Sequence, residues 1–406
     1  MINTVTPEIA SGNFGNQEDI YQSSNNSQNS STDPIYKPGT EEPVIEEDTE
    51  EPGTVYPQDW ATGAGTSEDP WAGDCLNDAL TACPAGGTIY LRAGYYTLSS
   101  TFRANKAINL IGEGMGKTFI VLDIESADGF QIVADYCTIK GFTVDADSQI
   151  DATLIVVFNI NHDYLVMEDI EVMNGGYMGI SPYQNNHSLF QNIYAHDNYD
   201  HGIHPGTDTP GRGLYNTYRD IYCWDNGHGG FDDRGAGGEY PIEQSNNVYD
   251  NIQCWDNGGH GIAIGGQKGI TLSNSFASGN GYQGIYLYTM EDYNVSNCSA
   301  TLNGYNGLWV RWSDNVNLTN IISKNNDAYS SYAGIGITDC NDVKITSSQS
   351  YDDRETPLQS WGVSLEGVNT EISLLNCKLT PNAILAIYNP AGAVVTVITD
   401  KMLAKL

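Results

Sequence analysis

HGIAIGGQKGITLSNSFASGNGYQGIYLYTMEDYNVSNCSATLNGYNGLWVR, residues 260–311, carries one pattern three times. At Gly261, Gly284 and Gly307 a polar residue precedes the glycine and an aliphatic residue follows it. The same mark recurs upstream at Gly179, Gly202 and Gly230 and downstream at Gly334 and Gly362, at intervals of 23 to 31 residues. A second mark precedes it, in NIYAHDN, DIYCWDN, NIQCWDN and SFASGN. Each interval holds two or three short strand-like runs bounded by Asn and Gly, and none shows helical periodicity. Intervals of this length belong to solenoids, in which each repeat buries its apolar face against the next. The predicted fold is therefore all-β: a single-stranded right-handed parallel β-helix of about twelve coils, running from about residue 85 to the C-terminus.

Outside the repeats, Trp71, Cys75, Ala79 and Cys83 share one helical stripe that stops at Pro-Ala-Gly-Gly, 84–87. This predicts a short N-terminal capping helix over the open end of the solenoid. Residues 57–406 are read as one β-helix domain. Residues 1–56 are read as an acidic tail or linker, disordered and protease-sensitive, with Asn, Gln and Ser up to Thr32 and acids between prolines thereafter. Cys75 and Cys83 would lie about 12 Å apart on a helix, too far for a disulfide. Cys223 and Cys254 fall at equivalent positions of neighbouring coils, close enough for a disulfide or for an inward row of free thiols.

Seventeen Lys and Arg against 51 Asp and Glu give a net charge of −34. Nucleic acid is excluded as a partner by that balance, and no apolar run is long enough to insert into a membrane. The opening MINTVTPEIASGNFG lacks the basic and apolar regions of a signal peptide. An extracellular or cell-surface location therefore implies a removed leader or another route. No CxxC pair or calcium-loop motif occurs, so neither a metal site nor a resident cofactor is expected, although Ca2+ could bridge an anionic substrate to an Asp. The chain is expected to act as a monomer.

Alternation along each strand sorts the side chains. After each register glycine comes an inward apolar residue (Ile203, Phe231, Ile262, Ile285, Leu308), and the next must point outward. This gathers His204, Asp232, Tyr286 and Trp309 on one face, with Arg234, Tyr288 and Arg311 two residues further on and His201 and His260 just before the glycine. Asp233 would face inward, which requires a bulge or hydrogen-bond partners. A solenoid tolerates any polar residue outside. What marks this face is the coincidence of His, Asp, Arg and Tyr on contiguous coils. Trp224 and Trp255 stack elsewhere, beside His196, and read as an aromatic ladder.

The helix followed by GGTIYLRAGYYTL resembles the entry to pectate-lyase-like β-helices. HGIHPG, DNGHGGFDD and DNGGHGIAI resemble the catalytic module of secreted mannuronan C5-epimerases and kindred β-helix polysaccharide lyases. That family's Tyr falls on His201, its Asp on His204, its motif His on Gly206, its downstream Asp on Arg234 and its Arg on Gly259. Its second His is retained as His260. A weaker resemblance links GGHGIAIGG and FDDR to the polygalacturonases, whose Arg-Ile-Lys segment would fall on Tyr286-Leu287-Tyr288.

The resemblance implies a polysaccharide partner, expected to contain uronate, and action by β-elimination or C5-epimerisation. The residues suit that chemistry. Arg234 and Arg311 would grip the carboxylate, and Trp309 and Tyr288 would line the sugar. His204 would be the base, with His260, His201 or Tyr286 as acid or orienting group. An inverting hydrolase would instead use Asp232 and Asp233. A third reading is a non-catalytic adhesin, surface-layer or tailspike-like glycan-binding shaft.

Overall fold

Successive coils pair in parallel and in the predicted register, locked by side chains as well as backbone. The computed structural model describes residues 53–124, 128–146, 158–160, 162–206, 212–234, 243–390, 392 and 395–398. All of these lie in one compact unit, Glu50–Leu406. The tail assigned to residues 1–56 falls almost wholly outside the described residues.

Parallel pairing aligns Phe102, Phe130, Phe158, Ile180, Ile203, Phe231, Ile262, Ile285, Leu308, Ile335, Val363 and Ile387 in one register, and Phe102, Phe130 and the residues from Ile180 to Val363 are fully buried in the core. The next position reads Asp232, Ala263, Tyr286, Trp309, Gly336 and Ser364 along adjacent strands, as alternation requires. Long strands such as Leu189–His196, Thr217–Trp224 and Val248–Trp255 form the opposite wall; in each the second, fifth and seventh residues are buried, because a left-handed residue (Asn192, Asp220 or Asn251) shifts the alternation by one. Burial along these ladders supplies the hydrophobic driving force, at about 25 cal/mol per Å2 of apolar surface.

The helix spans Cys75–Ala82 and buries Cys75, Leu76, Ala79 and Leu80. It joins the core cluster containing Ile89, Tyr96 and Phe102, so it covers the first coil. Trp71 lies outside the helix: it forms a parallel bridge with Tyr96, and the two rings are 4.7 Å apart. The helix stops where Cys83 turns extended ahead of Pro84. All eight cysteines are free thiols, and Cys223 and Cys254 are buried register partners. Of the two readings for that pair, the inward thiol row is the observed one.

The second mark has a physical cause. Asp197, Asp225, Asp256, Leu302 and Asn325 all have φ between 51° and 57°. Asp and Asn tolerate this left-handed conformation best among non-glycine residues. Each turn then drops the following residue, Asn198, Asn226, Asn257, Asn303 or Asn326, into the interior, and Gly279 does the same for Asn280. From Asn198 to Asn326 each amide nitrogen donates to the carbonyl oxygen of the next asparagine at 2.9 Å. That same oxygen also accepts the previous asparagine's backbone N–H. Buried polar groups are thereby satisfied across coils.

Asp233 faces inward without a bulge, paired in register with Ile264. Tyr249 Oη donates to its Oδ2 at 2.6 Å and lies 2.9 Å from Gln267 Oε1. Burial pushes the Asp233 carboxyl up to about 6, against the lowering effect of Tyr249 and Gln267.

Two predictions follow from these contacts. Asn280→Ala removes the acceptor of Asn257 and the donor to Asn303, and should lower unfolding stability by about 1–3 kcal/mol in urea titrations. Between the ordinary aspartate value and about 6, the folded protein keeps the Asp233 proton that the unfolded chain has lost. That contribution is fully present below the ordinary value and is lost as pH rises through about 6. Wild type should therefore lose stability relative to Asp233→Asn between pH ~4 and ~7, by on the order of 3 kcal/mol. A pH-independent difference between the two unfolding curves would contradict this.

Candidate active site

Two consecutive coils carry a polar cluster at one edge of this face. His204 follows Ile203, which pairs with Phe231, so His204 occupies the rung of Asp232. The backbone of Asp232 donates to Ile203 O at 3.0 Å, fixing that register. The position before the register glycine is not open to solvent as alternation suggested. His201 is 4 % exposed, and Gln283, Asn306 and Ala333 are likewise buried at the equivalent position of later coils. The turn that delivers the buried asparagine curls this residue back over the next coil. Space for it exists because the next coil has Gly229 there: a Cβ on Gly229 would sit 2.8 Å from the His201 ring.

His201 is the centre of the cluster. Its Nε2 lies 3.0 Å from Asp232 Oδ2, which is itself 1 % exposed, and 3.0 Å from His228 Nδ1. Its Nδ1 lies 3.0 Å from Asp200 Oδ1, but that oxygen is off the direction of an N–H bond, and buried Nδ1 makes no hydrogen bond. Burial disfavours the His201 cation, yet Asp200 and Asp232 outweigh it and raise the imidazole pKa. Burial likewise opposes ionisation of Asp200, but His201, His228 and His204 hold its carboxyl below the usual range. The His204 ring packs on His201 at 4.8 Å.

Beyond this cluster runs an aromatic column. His260 stacks on Tyr286 at 5.0 Å, Tyr286 on Trp309 at 4.9 Å, and Tyr286 on Tyr288 at 4.8 Å. Tyr288 folds back across Gly265, where a Cβ would lie 2.2 Å from the ring. Trp309 Nε1 donates to Thr338 Oγ1 at 3.0 Å. The Arg311 guanidinium lies 3.5 Å over the Trp312 ring, and its buried Nε has no acceptor. Burial raises the Tyr286 hydroxyl pKa although Arg311 opposes it, so this phenol keeps its proton at neutral pH.

The structure brings together His201, His204 and Asp232 as one contact group, and His260, Tyr286, Tyr288, Trp309 and Arg311 as another. Asp233 is turned away from both, into the core. The backbone of Arg234 pairs with Gly265; its side chain lies outside the described part of the structure.

His228 was not singled out from sequence. Its signal is positional: it stands two residues after a ladder asparagine, as do Asp200, Gly259, Tyr282 and Tyr305, and backbone hydrogen bonds stack these into one row. Tyr282 and Tyr305 continue that row as stacked rings 5.2 Å apart. Trp224 and Trp255 stack at 5.0 Å with His196 on the opposite wall, in the ladder expected of them.

Comparison with known proteins agrees with this architecture. Pectate lyase PEL9 of Emericella nidulans is 25% identical over 150 residues, which span 37% of this chain and 34% of the lyase. The A-module of mannuronan C-5 epimerase AlgE6 of Azotobacter vinelandii superposes with a TM-score of 0.62 at 17% identity, over 85% of this chain and 98% of that module. The Dettilon tailspike protein superposes with a TM-score of 0.57 at 14% identity, over 83% of this chain and 68% of the tailspike. At these identities the structural likenesses establish the fold alone. The Pel9A-like right-handed β-helix region matches residues 54–326, the span that holds the capping helix, the asparagine ladder and both site groups, and the chain belongs to that family.

Proposed function

We propose that this chain is a secreted or cell-surface enzyme that acts on a uronate-containing polysaccharide by β-elimination or C5-epimerisation. The observation that carries the reading is the adjacency of proton-transfer groups to a ring-lined face. His204 packs against a His201 held between two carboxylates, and His260 and the protonated Tyr286 are stacked together on the next coils. In this scheme Arg311 neutralises the substrate carboxylate, which acidifies the C5 proton. His204 takes the C5 proton as the C5–H bond breaks.

In elimination, electrons from that bond form the C4–C5 double bond, the C4–O bond breaks, and His260 or Tyr286 protonates the departing oxygen. In epimerisation the C4–O bond stays intact and His260 or Tyr286 delivers its own proton to C5 from the face opposite His204. Trp309 and Tyr288 shape the sugar-facing side of the column. Inverting hydrolysis is less well supported. It needs two carboxylates facing one sugar, whereas Asp233 is in the core and Asp200 and Asp232 both face His201.

The test is turnover on polygalacturonate and alginate, followed by unsaturated-uronate absorbance and, for epimerisation, by proton NMR. His204→Ala and His260→Ala should each lower kcat by on the order of 100-fold or more, with the circular dichroism spectrum unchanged. Wild-type turnover in both variants on a confirmed substrate would remove this face as the active site and favour the glycan-binding shaft.

A further inference from the structure

We infer that Asp200, His201 and His228 form a binding site for a borderline divalent transition metal of the Zn2+ class, which the absence of sequence motifs did not suggest. One ligand atom from each of the three lies within 4.8 Å of the others. Asp200 Oδ1 is 3.0 Å from His201 Nδ1 and 3.9 Å from His228 Nδ1. The three side chains come from two adjacent coils, with Asp200 and His228 stacked in the row two residues after the ladder asparagines.

Hydrogen bonding alone does not account for this geometry. His201 Nδ1 is buried without a hydrogen bond, although a carboxylate oxygen stands 3.0 Å away. An oxygen that close but off the nitrogen's lone-pair axis is the arrangement of two ligands on one ion, since metal–ligand bonds of about 2.0–2.2 Å meet at the metal rather than pointing at each other.

The other ring nitrogen fits the same assignment. His201 Nε2 lies 3.0 Å from both the buried Asp232 carboxylate and His228 Nδ1; with the Nε2 proton given to Asp232, His228 Nδ1 is left for the ion. Metal-bound histidines usually donate their second N–H to a carboxylate in this way, which fixes the tautomer and the ring orientation. Asp232 is thus a positioning residue for the metal ligand. The exposed side remains open: the His228 and Asp200 side chains are 44% and 20% exposed, leaving room for water or an anionic substrate group.

The donor chemistry selects the metal. Calcium takes six to eight oxygens, whereas this cluster is rich in imidazole, and two imidazoles with one carboxylate suit Zn2+ and its neighbours. Use of the ion to grip a uronate carboxylate rests on the function proposed above; the site itself stands on the donor geometry. Such an ion would supply positive charge beside His204 in a chain whose net charge is −34.

Titration of the metal-free full chain with Co2+, with no polysaccharide present, tests the site independently of enzymatic activity. The expected result is visible d–d absorption saturating at one equivalent and displaced by Zn2+ but not by equimolar Ca2+. Asp200→Asn and His228→Gln, both partly exposed and able to fold, should each weaken binding by at least about tenfold. His162→Gln, whose ring pairs with Asp135 and touches none of the three ligands, should leave it unchanged. No cobalt absorption, thiolate-to-cobalt charge-transfer bands, or equal affinity in both ligand variants would overturn the assignment.

Discussion

The buried asparagine ladder is the constraint on which the rest depends. A parallel solenoid is free to slip, because backbone pairing alone looks the same after a two-residue shift and one residue reverses every face. Asn198, Asn226, Asn257, Asn280, Asn303 and Asn326 remove that freedom. Each amide finds both donor and acceptor only when every coil stops its turn at the same point. A shifted coil would bury unsatisfied amides, each costing about 1–3 kcal/mol. The apolar ladders stabilise the stack, and the asparagines determine which residues face which.

That register has chemical consequences. Residues two positions past each ladder asparagine form one row, giving Asp200 above His228 and then the stacked Tyr282 and Tyr305. Residues one before and two after the register glycine form two more, the first holding His201 and His260 and the second His204, Asp232, Tyr286 and Trp309. Two contacts between rows depend on a coil that lacks a side chain. Gly229 admits the His201 ring, and Gly265 admits Tyr288. The site is therefore made by glycines as much as by the groups that would carry chemistry.

Much of this was legible in the sequence. The recurring glycine gave the register, alternation gave the inward Phe231–Ile262–Ile285–Leu308 ladder, and of the two expectations for an inward Asp233, a bulge or hydrogen-bond partners, the second is the one observed. What alternation does not encode is how a long side chain leans. His201 counts as outward by position yet lies buried across the next coil, because the turn curls it there and Gly229 leaves the space. His228 was hidden for a related reason. It sits in a turn, where strand periodicity assigns no face, and only the asparagine spacing places it beside Asp200. Trp71 shared a helical stripe with Cys75 but pairs with a strand, since the helix begins only at Cys75.

The central claim is that one register-defined face, bounded by His204, His260, Tyr286 and Arg311, is where a glycan binds. A crystal structure with a bound uronate oligosaccharide tests it most directly. The account predicts a sugar carboxylate within hydrogen-bond reach of Arg311 or of the Asp200–His201–His228 group, with C5 facing His204. An oligosaccharide seated instead on the Trp224–Trp255 wall, or along the exposed Tyr136, Tyr164 and Tyr215 turns, would contradict it.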